Sequence, residues 1–166
     1  MSYDLFAGLT LFAAVAVLTR LRMAVTSRLP ALESLYALNA EEDAQKLAKE
    51  KYPPMVQASA RVGKRTMLAF FVAIAPFCVT LEVRPLGRGL ADVVLILMGY
   101  DLAYYLTHRF VFHGAAMLKV HAVHHQALSP SYIDAHYVHP LETFVGIMLF
   151  VGTIVGSAVG LGRFHV

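Results

Sequence analysis

The sequence predicts an all-α integral membrane protein with three to four hydrophobic helices. Of its 166 residues, 58% are apolar, whereas soluble domains have roughly 45–50%. The mean hydropathy is +0.60. The apolar residues also fall in four runs, 4–25, 67–81, 90–106 and 144–161. A membrane helix needs about 20 mostly apolar residues, and a chain of this length is expected to form a single membrane domain, residues 1–166.

The first apolar run predicts a retained transmembrane helix over residues 4–25. Leu5 to Leu18 are almost wholly apolar, and Arg20 and Arg22 end the run. A signal peptide carries its positive charge before the apolar core, and here the charge follows it. Arginines at this position reach the lipid headgroups with their charged ends.

Residues 26–65 form a polar linker between the first two apolar runs. Within it, the segment from Ala40 to Tyr52 is predicted to be a helix capped by Asn39 and stopped by Pro53 and Pro54. A solvated or interfacial helix is the favoured interpretation. A gate over a substrate site is the alternative.

The later apolar runs differ in character. Pro76 lies inside the short second run and predicts a kink or a re-entrant segment. The fourth run carries glycines at four-residue spacing, at Gly152, Gly156 and Gly160. Such a stripe allows close helix packing, either within the chain or in a homo-oligomer formed through the last helix.

Positive charge predicts the orientation. Nine of the 14 lysines and arginines lie in residues 20–65, and only Arg84 and Arg88 lie between the second and third runs. Basic loops remain cytoplasmic, so the third helix is expected to deliver the segment that follows it to the cytoplasmic face. The membrane would be a bacterial inner membrane or the endoplasmic reticulum. These charges suit headgroups, and no nucleic-acid-binding motif is present.

Residues 101–142 contain seven of the eight histidines and predict a metal site at the membrane surface. Imidazole is a common neutral metal ligand. Cys78 is the only cysteine in the chain, so a thiolate site is not expected and the ligands are nitrogen and oxygen. The candidate ligands are His108, His113, His121, His124 and His125, with His139 and His136 as weaker candidates.

The spacing of these histidines sets their geometry. His121, His124 and His125 lie at i, i+3 and i+4, which is one face of a helix. His108 and His113 are five apart and would point about 140° from each other on a regular α-helix. A π-bulge, or unwinding near Gly114, would bring them together, and π-bulges are frequent at functional sites.

Polar residues around the histidines are candidates to orient them. Asp101 lies two turns before His108, with Tyr104 between, and a carboxylate there could fix a histidine tautomer or pair with Arg109. His139 precedes Pro140, which suits the first position of a helix. Glu142 would then lie in the first turn, as part of an ordinary helix start or as a partner of the metal site.

The number of histidines favours two metal ions over one, because one zinc needs at most four ligands. Imidazole suits iron, copper and zinc alike. A lipid-facing site meets unreactive C–H bonds, which favours a redox metal and oxygen. A zinc-dependent membrane hydrolase is the alternative, although no H-E-x-x-H motif is present.

With these motifs, the chain resembles the fatty acid hydroxylase/sterol desaturase superfamily of integral-membrane di-iron oxygenases. The likeness covers about residues 101–145 closely. His108-Arg-Phe-Val-Phe-His113 resembles the first histidine box, and His121-Ala-Val-His124-His125 resembles the second. The lead-in Asp101-x-x-Tyr104-x-x-x-His108-Arg109 matches as well. His139-Pro140-Leu141-Glu142 resembles the HP-x-E element of the methylsterol oxidase branch.

The resemblance implies a cytoplasm-facing centre of two irons, O2 as oxidant, a separate electron-donor reductase and a lipid or sterol substrate that is hydroxylated, desaturated or oxidised at a methyl group. Asp101, Tyr104, Arg109 and Glu142 would support the histidine ligands from outside. The family carries a third H-x-x-H-H box after HP-x-E, which residues up to Val166 lack. Either the sequence is a piece of a longer protein, or the site is incomplete and the chain is a non-catalytic membrane subunit.

Overall fold

The computed structural model describes residues 3–82, 85–127, 129–161 and 164–165. Three of its helical stretches are long and apolar enough to cross a membrane, namely Leu5–Thr26, Leu86–Phe112 and Pro140–Gly160. The predicted all-α membrane fold is therefore confirmed. The second apolar run is not among these candidate spans.

Helix α1 (Leu5–Thr26) begins at Asp4, whose carboxylate accepts a hydrogen bond from the backbone N–H of Ala7 at 2.9 Å. This cap satisfies an N–H group that the first turn of a helix leaves unpaired. Helix α1 packs on the end of the second apolar run, where a Cβ at Gly8 would lie 2.7 Å from Cγ of Pro76. The absence of a side chain at Gly8 lets the two segments approach closely.

Helix α2 (Pro30–Leu47) is longer than predicted, and the cap predicted at Asn39 is wrong. Pro30 occupies the first turn, where its missing N–H costs nothing. Asn39 lies inside the helix and donates its side-chain amide to the carbonyl of Leu35 at 2.8 Å. The helix ends at Leu47, before the prolines that were expected to stop it.

Helix α3 (Tyr52–Ala69) starts with Pro53 and Pro54 in its first turn, so these prolines begin a helix. It continues without a break into a π-helix, Phe70–Ile74, and then into α4 (Ala75–Cys78). Pro76 lacks an N–H, and the wider π-turn before it is a known way for a helix to absorb such a disturbance. A π-turn therefore precedes Pro76, and the predicted kink or re-entrant segment stays a prediction.

Helix α5 (Leu86–Thr107) continues into a second π-helix, His108–Phe112. Short helices follow: α6 (Leu118–His121) and two 3-10 turns, His124–Gln126 and Tyr132–Ala135. Helix α7 (Pro140–Leu161) returns along α5 and α3. Two-residue strands β1 (Val79–Thr80) and β2 (Phe164–His165) pair in parallel beyond its far end.

The core lies where α7 meets the π-helix of the second apolar run. Phe70, Phe71, Ala75 and Val151 are buried there, surrounded by partly buried aliphatic side chains. The hydroxyls of Ser59 and Thr143 lie 2.7 Å apart between α3 and α7. This packing fixes the start of α7, which carries Glu142, relative to the rest of the bundle.

Candidate metal centre

The π-helix at the end of α5 aligns the first two histidines. The backbone N–H of His113 donates to the carbonyl of His108 at 3.2 Å, a hydrogen bond that spans five residues. The two rings consequently lie on one side of the chain, with centroids 5.0 Å apart. Of the two alternatives that the five-residue spacing offered, a π-bulge or an unwinding near Gly114, the structure has the π-turn.

His121 is the centre of a cluster of five histidines. Its side chain is fully buried, and its ring centroid lies between 4.4 and 4.7 Å from the other four rings. Phe112, also fully buried, stacks on it at 5.7 Å with the planes only 5° apart. The sequence analysis did not identify Phe112, although its position next to His113 in an otherwise apolar stretch could have indicated this role.

The nitrogen atoms of the cluster are close enough to bind metal ions in two groups. One potential ligand atom from each of His108, His113 and His121 lies within 4.8 Å of the others, and the same holds for His121, His124 and His125. Nε2 of His121 lies 2.9 Å from Nε2 of His125. Such approach of basic nitrogens suits a shared cation.

Glu142 reaches the cluster from the first turn of α7. Its side chain is 3% exposed, and its Oε1 lies 3.0 Å from Nδ1 of His121 and 3.2 Å from Nδ1 of His124. Pro140 begins the helix and Glu142 lies in its first turn, as predicted. Nδ1 of His108 and Oε2 of Glu142 are buried without a hydrogen-bond partner among the described residues.

The cluster favours neutral imidazoles. Burial, together with the neighbouring histidines, lowers the pKa of His124 to about 4. Burial also lowers the pKa of His121, with a contribution from His125 and His113. A neutral imidazole offers a free lone pair at physiological pH, which is the form that binds metal.

Two of the predicted supporting residues are not brought to the cluster. Asp101 is exposed, and no hydrogen bond joins it to a described histidine. Seven residues of helix separate it from His108, an axial distance of about 10 Å, which is too far for direct contact. Arg109 is exposed and donates to the hydroxyl of Tyr105 at 3.2 Å, because the residue after His108 points about 100° away from it.

Tyr104 does lie beside the cluster. Its ring centroid is 5.8 Å from that of His108, and its edge approaches α7, 3.7 Å from a Cβ built at Gly146. Tyr100, one turn earlier, contacts Phe150 edge to face at 5.4 Å. The aromatic side chains thus continue from the histidines along the interface between α5 and α7.

The weaker candidates lie at the margin. Nδ1 of His139 accepts a hydrogen bond from the backbone N–H of Leu141 at 3.2 Å, so it caps α7. His136 is exposed, and its ring lies 6.5 Å from that of Tyr132. Neither ring is in contact with the five clustered imidazoles in the described part of the chain.

A polar network that the sequence analysis missed lies next to the cluster. Lys46 of α2 is 5% exposed and pairs with Asp134, which lies between the histidine triplet and α7. Burial raises the pKa of Asp134, but hydrogen bonds from Lys46, Ser131 and Tyr52 outweigh it and the net shift is downward. The pattern Ser131-x-x-Asp134 is a capping-box signature that could have indicated part of this network.

The part of the chain that contains this cluster is similar to known proteins. Residues 93–164 match the family model described as fatty acid hydroxylase. A putative methylsterol monooxygenase of Dictyostelium discoideum is 46% identical over 56 residues, which is 34% of this chain and 20% of the relative. Methylsterol monooxygenase 1 of Gallus gallus is 39% identical over 56 residues, 33% of this chain and 19% of the relative.

A longer but more distant match is a methylsterol monooxygenase of Aspergillus fumigatus, 26% identical over 122 residues, which is 66% of this chain and 39% of the relative. The chain therefore spans about a fifth of the length of the first relatives and less than half of the last. No solved structure gives a significant match.

Proposed function

Because residues 93–164 match the family model described as fatty acid hydroxylase, we propose that the chain is an iron-dependent membrane oxidoreductase of the fatty acid hydroxylase/sterol desaturase superfamily. It would use O2 to hydroxylate, desaturate or oxidise a methyl group of a lipid or sterol-like substrate. The observation that carries the proposal is the cluster of five histidines joined by Glu142, at one end of the candidate membrane helices.

The donor set fits iron. All five clustered side chains are imidazoles, which bind iron well, and His108 has a buried Nδ1 without a partner among the described residues. Nδ1 of His121 contacts Glu142, so its Nε2, which lies 2.9 Å from Nε2 of His125, is the nitrogen that could bind an ion. One nitrogen binds one ion, and the cluster therefore offers three ligands to one ion and two to a second. Ligand sets of this size would leave coordination positions open, as catalysis requires.

Glu142 favours one tautomer of His121. A carboxylate oxygen accepts hydrogen bonds, so His121 would carry its proton on Nδ1 and present Nε2 to the metal. Nδ1 of His124 lies 3.2 Å from the same oxygen. Partners of this kind fix the ring orientation and increase ligand basicity. Phe112 holds the His121 ring from its face. His139 is a further ligand candidate through its free Nε2, and His136 a weaker one.

Tyr104 and Tyr100 provide an apolar path to the cluster. Their rings lie along α5 against α7, within a candidate membrane span. A sterol or acyl chain entering from the bilayer would contact these rings and bring a C–H bond towards His108. Bound iron supplies the oxygen chemistry that an unreactive C–H bond requires. The chain's residues orient that bond and exclude water.

The basic linker supports a cytoplasmic position of the site, where a reductase could supply electrons. Nine lysines and arginines in residues 20–65 favour a cytoplasmic position for this segment and for the histidines. Electrons would come from a separate reductase on that side.

The glycines of α7 leave one of its faces open, since Cβ atoms built at Gly152, Gly156 and Gly160 meet nothing within 4 Å. A second copy of the chain could pack on this open stripe.

The test is turnover of a methylsterol in membranes that contain the chain, supplied with a reductase and ¹⁸O2. The expected result is an O2-dependent sterol product that is absent for the His124→Ala variant and that carries ¹⁸O when it is hydroxylated or oxidised at a methyl group; a desaturated product also requires O2 but carries no label. A product that forms without O2, or one that the variant forms equally, would contradict the proposal. Turnover that requires zinc and is indifferent to O2 would support the hydrolase alternative.

A further inference from the structure

Helix α2 binds the loop that connects the two parts of the histidine site. The connecting loop, residues 129–137, follows the triplet that ends at His125 and precedes Pro140. Asn39, Asp43 and Lys46 lie at i, i+4 and i+7 of α2, which is one face of the helix. All three side chains contact this loop.

Lys46 has all its hydrogen bonds satisfied by the loop. Its ammonium group donates to the carbonyl of Ser129, to Oγ of Ser131 at 2.9 Å and to Oδ2 of Asp134. An ammonium has three N–H donors, and each finds an acceptor. A buried charge is tolerated only when it is paired in this way. Burial of the Lys46 ammonium therefore requires the acceptors that this conformation of the loop provides.

Asp134 is bound on both carboxylate oxygens. Oδ2 accepts from Lys46 and from the backbone N–H of Ser131 at 2.8 Å, and Oδ1 accepts from the hydroxyl of Tyr52 at 3.1 Å. The Tyr52 ring stacks on Tyr137 at 3.9 Å with the planes 12° apart. Both ends of the loop are therefore fixed against α2 and α3.

Three consecutive backbone N–H groups of the loop bind side chains. Ser131 donates to Asp134, Tyr132 to Oδ1 of Asn39 at 3.1 Å, and Ile133 to Oδ1 of Asp43 at 3.0 Å. Because a side chain accepts each of these hydrogen bonds, the protection of the three N–H groups from hydrogen exchange depends on the side-chain contacts. This dependence provides a direct experimental signal for the attachment of the loop.

The network continues to the residue that follows the histidine triplet. Oε1 of Gln126 accepts hydrogen bonds from Lys51 at 2.9 Å and from the Tyr137 hydroxyl at 3.4 Å. The triplet itself lies on α6 and a 3-10 turn, of four and three residues. Helices this short are not stable alone, so the position of the triplet depends on external contacts.

We propose that α2 and the connecting loop form a clamp that positions the metal site, with Lys46 and Asp134 as positioning residues for His124, His125 and Glu142. This inference rests on the proposed function, since it requires that the histidines bind metal. The clamp sets the distance between the triplet and the start of α7. Residues 26–65 thereby contribute to the site and do not serve only as a linker.

The test compares Lys46→Met with Lys49→Met in the full chain in mild detergent. Both changes remove one lysine charge from the same part of the chain, but Lys49 is exposed. We expect Lys46→Met to accelerate hydrogen exchange of the amides at 131–133 by tenfold or more. It should also accelerate loss of bound Co²⁺ to a chelator by tenfold or more and alter its visible absorption. Lys49→Met should match the wild type.

Asp43→Asn is a milder second variant in case Lys46→Met does not fold, and it should shift exchange at Ile133 and Co²⁺ loss in the same direction. Faster exchange in the clamp variants with unchanged Co²⁺ loss and spectrum would overturn the positioning role. Unchanged exchange would overturn the clamp itself. A wild-type chain that takes up no metal would instead contradict the proposed function, and exchange at 131–133 would still test the attachment of the loop.

Discussion

Oε1 of Glu142 lies 3.0 Å from Nδ1 of His121, although 21 positions separate the two residues in the chain. The same oxygen lies 3.2 Å from Nδ1 of His124. One buried carboxylate oxygen therefore joins the first turn of α7 to two of the proposed metal ligands. The geometry of the site depends on the packing of α7 against α3 and α5 as well as on the histidine motifs.

Replacing Glu142 with Gln should weaken metal binding about 10- to 100-fold, because partners that orient ligating histidines contribute this much. The amide keeps the size of the side chain but loses the negative charge beside Nδ1 of His121 and of His124. The measurement is the dissociation constant of the purified chain for Fe²⁺ or Co²⁺. Glu33→Gln is the control, since Glu33 is exposed on α2. An affinity equal to that of the control would refute the role of Glu142.

His124→Ala should remove most of the bound iron, whereas His136→Ala, at the weakest ligand candidate, should retain most of it. His124 belongs to the cluster, and His136 is exposed outside it. Both variants should insert into membranes normally, because neither change alters a candidate span. Iron content per chain, measured on membrane-extracted protein, distinguishes the two. Equal loss in both variants would show that the ligand set is misassigned.

His121 and His124 should stabilise the metal-free chain above pH 6.5, and their contribution should be lost as the pH falls from about 6.5 to about 4. The pKa of His121 is lowered and that of His124 is lowered to about 4, whereas unfolded histidines titrate near about 6.5. The unfolded state thus binds more protons at these histidines in this window, so their contribution to the free energy of unfolding decreases as the pH decreases. This stabilisation is complete above pH 6.5.

The measurement is the unfolding temperature of the metal-free chain in detergent at pH 7.5 and at pH 5. His124→Gln lacks one of the titrating groups, so its unfolding temperature should fall less over this interval. A variant that loses as much stability as the wild type would show that His124 is not held neutral by the fold.

Gly8→Ala should destabilise the chain by about 1–3 kcal/mol, the usual cost of overpacking. The new methyl group would lie 2.7 Å from Cγ of Pro76 and 3.2 Å from the carbonyl oxygen of Phe71, so α1 must move away from the second apolar run. Gly87→Ala is the control, because nothing lies within 4 Å of its Cβ position. Thermal unfolding of both variants tests this, and equal melting temperatures would contradict the close packing.

The candidate spans could be predicted because apolar runs of this length have few alternatives. The runs at 90–106 and 144–161 correspond to α5 and α7, and the structure extends each by four residues at its start. The π-turn after α5 also followed from sequence, since the spacing of His108 and His113 is unfavourable on a regular helix. In these cases local pattern alone determines the structure.

The polar segment could not be predicted in the same way. The side chains of Asn39, Asp43 and Lys46 are ordinary for an exposed helix, and their partners lie more than 80 residues later in the chain. Nothing in the local sequence shows that Lys46 is buried. Long-range pairing of polar groups is decided by tertiary packing, which local propensity does not report.

Asp101 illustrates the opposite error. Its position two turns before His108 suggested a partner for a ligand, and helical periodicity does place both on nearly the same face. The two residues are nevertheless about 10 Å apart along the helix axis, and Asp101 is exposed without a hydrogen bond to a described histidine. Glu142 makes the contact with a histidine instead, from the first turn of α7.

The central claim is that the five clustered histidines bind metal, and elemental analysis of the chain purified in mild detergent tests it most directly. We predict iron in stoichiometric amount, about two ions per chain as in other two-metal sites, with most of it lost in His124→Ala. One zinc per chain would favour the hydrolase alternative. A wild-type chain without stoichiometric metal would contradict the claim.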